Sequence, residues 1–218
     1  IYPTGTQTPM SMITRWHFVR HAPVVNSDGE AAFYKSNDEP ADVSNDEAFR
    51  ALARRLPKDA VWLRSHLQRT RQTADAIRAA GLNFPEPMVD PDLAEQDFGH
   101  WHGRTRADLE REIDDLEHHK FWIVPADYQP PGGESFVDVM ARVRRAIERH
   151  TEEHAGKTIV AVCHGGVINA AIGLALGLDP DQSLMFSTEN LSTTRLDRLH
   201  GPGRGGDWRL VFHNIRAG

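Results

Sequence analysis

Two short hydrophobic runs each end on a histidine, and the residues around them are the types that handle phosphate. Trp16-His17-Phe18-Val19 delivers Arg20-His21, and Thr158–Cys163 delivers His164-Gly165-Gly166. A histidine neutral at one ring nitrogen can act as a nucleophile or a base. An arginine offers a planar, permanently charged fork that bonds phosphate oxygens in pairs. Three arginines, Arg64, Arg69 and Arg71, follow a further short apolar run, and Glu95 stands in an acidic stretch with Asp90, Asp92 and Asp97. A carboxyl group there could give and take a proton. Taken singly, each feature has a plain reading: an Arg-His pair at a strand end, a solvated helix arginine, one more surface carboxylate. Cys163 reads as a buried strand residue, and Trp101 and Gly103 as packing and turn residues.

The elements that must hold these groups follow from hydrophobic patterning. Trp16–Val19, Ala60–Leu63 and Thr158–Cys163 are continuous apolar runs, as expected of strands buried on both faces. Helices are expected over Asp46–Leu56, stopped by Pro57, and over Thr70–Ala80, with Gly81 as cap. Ser135–Glu153 carries Phe136, Val139, Met140, Val143 and Ile147 on one helical face, and an apolar helix follows His164-Gly165-Gly166 as far as Leu176. Val24–Asn45 reads as a long loop, and two late strands near Leu191–Leu199 and Trp208–Ile215 suggest a closing hairpin. Strands alternating with helices predict an α/β fold: a three-layer α/β/α sandwich on a mostly parallel sheet, with a small helical cap insertion. Ligands in such sheets sit beyond the carboxyl ends of the strands, where both histidines fall. The division expected is a disordered leader or cloning remnant over 1–12, then one domain over 13–218 with a cap-like insertion at about 91–131.

The motifs taken together resemble the histidine phosphatase (phosphoglycerate mutase-like) superfamily. Val19-Arg20-His21-Ala22 is similar to its RHG signature, and Ser65–Ala74 to its second-arginine motif. Leu93–Gly103 resembles its acidic segment, L-x-E-x-x-x-G-x-W-x-G. Gly132-Gly133-Glu134-Ser135, followed by Asp138 and Arg142, resembles its GES helix start, and Val162–Gly166 its second-histidine motif. The match runs from about Arg15 to Ala175, in the family's order. The resemblance implies His21 as the nucleophile, with Arg20, Arg69 and His164 holding phosphate and Glu95 as the proton donor that later activates water. It implies a phosphatase without a cofactor or catalytic metal, and small bacterial members of the α-ribazole-phosphate phosphatase-like and broad-specificity kind are the nearest in character. A mutase-like transfer and a non-catalytic phosphate binder are the alternatives. The mutases carry a Trp-Asn extension of the first motif that this chain lacks.

The chain departs from the family's pattern after the first histidine, where Ala22-Pro23-Val24-Val25-Asn26 replaces a run that begins with glycine. Ala22 adds a methyl group, Pro23 removes a backbone donor, and Asn26, one position early, is the expected further phosphate contact.

The bulk composition narrows the classes that remain. The 218 residues carry a formal charge of −6, so no general attraction to nucleic acid or an anionic membrane is expected. A small phosphorylated metabolite held by a local site is the expected partner. A single cysteine rules out an internal disulfide and suggests a reducing compartment. The opening residues lack a basic start and an apolar run, so the cytoplasm is the expected location. His100, His102, His118 and His119 raise a metal reading, but no Asp or Cys falls at ligand spacing, and no metal is expected. Apolar residues at Leu184–Phe186 and in the last hairpin fit either a homodimer face or the core.

Overall fold

The structure, a computed structural model, describes residues 12–25, 36–116 and 118–216. Six strands form one sheet: β1 (Ile13–Arg20), β2 (Val61–Arg64), β3 (Met88–Val89), β4 (Thr158–Cys163), β5 (Thr193–Leu199) and β6 (Trp208–Ile215), in the order β3-β2-β4-β1-β5-β6. The first four of that order run parallel, and β5 and β6 add on antiparallel. The helices are α1 (Asp46–Arg55), α2 (Gln68–Ala79), α3 (Arg106–Glu112), α4 (Phe136–Glu153), α5 (Gly165–Leu176) and a short α6 (Pro180–Ser183).

Side chains alternate across a strand, so one strand feeds two cores. On β4, Ile159, Ala161 and Cys163 pack with Trp16, Phe18 and the apolar faces of α4 and α5. Val160 and Val162 point the other way, into a cluster with Trp62, Phe49, Leu52 and Ile77 beneath α1 and α2. The three layers are those the sequence predicts. Between β3 and α4 the chain makes two 3₁₀ turns and α3; Leu93 of the first turn joins the main core, while the second turn and α3 pack around a third cluster of Phe98, Trp101, Leu109, Ile113 and Val124.

Most boundaries follow local rules. Ser135 caps α4 with a reciprocal box: its Oγ accepts from Asp138 N–H at 3.1 Å, and the Asp138 carboxylate accepts from Ser135 N–H at 3.0 Å. Gly81, with φ +105°, follows the last turn of α2. Two elements carry no sequence pattern long enough to read, the two-residue β3 and the four-residue α6 after Asp179-Pro180. The expected strand from Leu191 begins instead at Thr193, because Leu191 turns to φ +57° and donates its N–H to the Arg20 carbonyl at 3.0 Å. Of the expected dimer-face residues Leu184–Phe186, all three line a cleft; Leu184 is buried in the main core, Phe186 packs against that core, and Met185 is exposed. No helix among the described residues is long and apolar enough to cross a membrane.

Candidate active site

β1 and β4 are adjacent and parallel, with Arg20 opposite Cys163, so the next residue of each strand lands at the same edge. His21 donates its N–H to the Cys163 carbonyl at 3.0 Å, and the rings of His21 and His164 stand 5.0 Å apart, tilted by 57°. Both are fully buried.

The tautomer of His21 follows from its partner. Nδ1 lies 2.6 Å from the carbonyl oxygen of Ala22, which can only accept, so Nδ1 carries the hydrogen. Burial, then the charges of Arg69 and Arg20, push its pKa well below the ordinary histidine value, so the ring is neutral at pH 7 and Nε2 keeps its lone pair. Arg69 donates Nε–H to that nitrogen at 3.3 Å and Nη1–H to the Asn37 carbonyl at 2.6 Å. Arg69 is the buried member of its trio. Arg71 is half-exposed beside Asp75, and Arg64 bonds the neighbouring Ser65 carbonyl.

Ala22 explains how the loop accommodates its departure from glycine. Its N–H donates to Thr73 Oγ1 at 2.9 Å and its carbonyl holds His21, both through backbone that any residue supplies. Its methyl group packs in the cluster beneath α1 and α2. Asn26 lies outside the described residues.

On the other strand, Ser65 Oγ bonds His164 Nε2 at 2.8 Å. Burial and the charge of Arg69 lower the pKa of His164 too, with smaller contributions from His21, Arg142 and Arg20. Arg20 reaches across and donates Nη1–H to the Thr188 carbonyl, and Asn190 Nδ2 donates to the His21 carbonyl at 2.8 Å. Burial also pushes the Cys163 thiol up, which keeps it protonated and unreactive.

Glu95 enters from the segment after β3. Its carboxylate accepts from its neighbour Gln96 N–H at 3.1 Å and faces Gly166 N–H, at the start of α5, at 3.5 Å. A Cβ on Gly166 would stand 2.5 Å from Glu95 Oε1, so glycine at this position is what lets the carboxylate approach. Arg142 on α4 fixes the backbone: it donates to the carbonyls of Asp92, Ala94 and Glu95 and pairs both carboxylate oxygens of Glu134, at 2.9 and 3.0 Å.

The structure thus gathers Arg20, His21, Arg69, Glu95 and His164 at one sheet edge. Arg20, Arg69 and Glu95 line a cleft of about 760 Å³, whose outer wall includes Arg106, Lys120, Phe121 and Trp122. The sequence patterns assign no role to Ser65, Arg142, Thr188 or Asn190. For Ser65 and Arg142 the signal was present, since both sit inside the matched motifs. The histidines of 100–119 do not converge: His102 accepts from Phe98 N–H at 3.3 Å, and His119 bonds the Asp181 carbonyl at 3.0 Å.

A family model described as histidine phosphatase superfamily (branch 1) matches residues 16–215. The chain belongs to this superfamily. A bifunctional protein of Mycobacterium tuberculosis is 43% identical over 126 residues, 57% of this chain but 33% of that protein, so the match spans about a third of that relative's length. A glucosyl-3-phosphoglycerate phosphatase of Mycolicibacterium vanbaalenii is 29% identical over 223 residues, covering 94% of this chain and 96% of the relative. Among solved structures, the native mycobacterial glucosyl-3-phosphoglycerate phosphatase superposes with a TM-score of 0.74 at 26% identity, covering 93% of this chain and 99% of the other.

Proposed function

We propose that this histidine phosphatase superfamily member hydrolyses phosphomonoesters of small metabolites through a phosphohistidine on His21. The observation that carries the reading is the state of that ring: neutral, hydrogen-bonded through Nδ1, with Nε2 facing the Arg69 guanidinium. Nε2 attacks phosphorus as the bond to the ester oxygen breaks, and the Glu95 carboxyl gives its proton to the leaving alcohol. Glu95 then takes a proton from water, whose oxygen attacks phosphorus, and the P–N bond breaks to restore His21. Arg20, Arg69 and His164 stabilise the charge on the transferring oxygens. A phosphate oxygen is a stronger acceptor for these guanidinium groups than the Asn37 and Thr188 carbonyls they now engage.

No step calls on a metal. Leaving alcohols would lie against the aromatic and cationic wall, and the named activity of the mycobacterial relatives makes glucosyl-3-phosphoglycerate the first natural ester to try.

The test is phosphate release from an aryl phosphate and from that ester in excess EDTA, for wild type and for His21→Ala. Turnover that survives EDTA and vanishes in the variant is expected, with phosphate trapped acid-labile on the wild-type chain after rapid quench. Equal turnover in the two proteins, or loss to EDTA alone, would overturn the reading.

A further inference from the structure

The last turn of α4 carries three metal-ligand side chains that the active site does not use. His150, Glu153 and His154 each bring one ligand atom to within 4.8 Å of the others. The spacing i, i+3, i+4 puts all three on one helical face.

Their hydrogen bonding is unusual for buried imidazoles. His150 Nε2 stands 2.8 Å from the carboxylate of Asp90. The same carboxylate also accepts from the Asp92 N–H at 3.0 Å and from Arg149 Nη2 at 2.6 Å. A carboxylate only accepts, so His150 Nε2 carries the hydrogen, and Nδ1 is left for another partner. His150 is 7% exposed and its Nδ1 makes no hydrogen bond among the described residues, although Glu153 Oε2 lies 3.7 Å away. Both ring nitrogens of His154 are likewise buried without a partner. Burial of polar nitrogens without partners is costly, and three in one cluster point to a group that would satisfy them.

We propose that His150 Nδ1, a Glu153 oxygen and a His154 nitrogen bind one zinc-class divalent cation. Two imidazoles and a carboxylate are borderline donors that suit this class, and they leave a fourth position open to water. Asp90 behind His150 forms the carboxylate–histidine relay that sets ring orientation at metal sites. The C-terminal end of a helix also favours positive charge. Ligands on one tetrahedral zinc stand roughly 3.4 Å apart; Glu153 Oε2 and His150 Nδ1 are already 3.7 Å apart, and no pair in the cluster needs to close by more than about 1.4 Å. Phe136, the first residue of α4, lines the catalytic cleft, and His150 lies 14 residues along, about 21 Å down the axis. The site is therefore structural, tying the end of α4 to the turn after β3.

The experiment is titration of the chelator-treated full chain with Zn²⁺ alone, against a chromophoric competitor, with thermal unfolding read in parallel. Wild type is expected to bind one equivalent more tightly than any other and to gain thermal midpoint on binding. Glu153→Gln and His154→Ala, at partly exposed positions, should lose that equivalent and that gain, while a His118→Ala/His119→Ala control keeps both. Asp90→Asn should weaken it about 10- to 100-fold. No tight equivalent in wild type, or an unchanged one in His154→Ala, would overturn the site.

Discussion

Arg142 holds Glu95 by its backbone: Nη2 donates to the Glu95 carbonyl at 3.1 Å while Nη1 takes those of Ala94 and Asp92. The other side of the same guanidinium is locked to Glu134. A lysine keeps the charge but has no fork to serve both partners. Arg142→Lys should therefore lower kcat by about 100-fold, the scale of a 1 Å displacement of a reacting group. The KM for an aryl phosphate should stay within about threefold, because Arg20 and Arg69 are untouched. A variant that unfolds at the wild-type temperature and keeps full kcat would remove Arg142 from the machinery.

Adjacent glycines at the start of α5 should respond differently to one methyl group. An added Cβ on Gly165 would meet Arg20 at 3.5 Å, an ordinary contact, whereas on Gly166 it would press on Glu95 Oε1 at 2.5 Å. Alanine in a helix is intrinsically better than glycine by about 1 kcal/mol. Gly166→Ala should thus leave the melting temperature unchanged or higher, yet cost about 10- to 100-fold in kcat as the carboxylate is displaced. Gly165→Ala should cost several-fold less. Paired steady-state kinetics and thermal melts decide it, and equal activities in the two variants would contradict the geometry.

The parts of this site that could be read from the sequence are those with a side-chain signature. β4 matches its expected range residue for residue, because a strand buried on both faces is a continuous apolar run bounded by polar residues. The strand ends then locate His21 and His164 with no further information. What could not be read is the backbone work. The carbonyls of Asn37 and Thr188 that receive Arg69 and Arg20, and the left-handed turn at Leu191 that sets Asn190 under His21, carry no residue preference. Arg142 was visible only as a helix residue after the GES motif, since its partners lie 47 to 50 positions away. The cluster at His150 has no sequence signature for a related reason: Asp90, which holds His150, lies 60 positions away.

The outer wall of the cleft should govern affinity without touching chemistry. Phe121 is 62% exposed and Trp122 39% exposed, both on the cleft lining and far along the chain from the strand ends. Covering one such ring with an apolar leaving group contributes about 1–2 kcal/mol. Phe121→Ala should raise the KM for an aryl phosphate about 5- to 30-fold with kcat unchanged, the pattern of lost uniform binding. The KM for a short alkyl phosphate should not move. A fall in kcat instead would place the ring against the reacting groups.

Stability should fall on the acid side, starting well above the range where carboxylates titrate. Burial and the neighbouring arginines hold His21 and His164 below the ordinary histidine pKa, and burial, with Arg195 and Arg15 outweighing Asp197, brings His17 to about 4. An unfolded chain protonates these rings near pH 6.5, while the folded chain keeps them neutral. The unfolded state then binds more protons, so stability is complete above about pH 6.5 and declines as pH drops from there, for His17 until about pH 4. Each ring contributes a slope of up to about 1.4 kcal/mol per pH unit. Asp90 acts lower down: its depressed pKa stabilises the fold above the ordinary carboxylate range, and that contribution is lost as pH falls through about 2. Urea midpoints measured from pH 7.5 to 4.5 should therefore decline steadily, and His17→Gln, away from the catalytic groups, should make the decline shallower. A midpoint that stays flat down to pH 5 would show that these histidines are charged in the folded protein, and would remove the neutral His21 on which the phosphohistidine route depends.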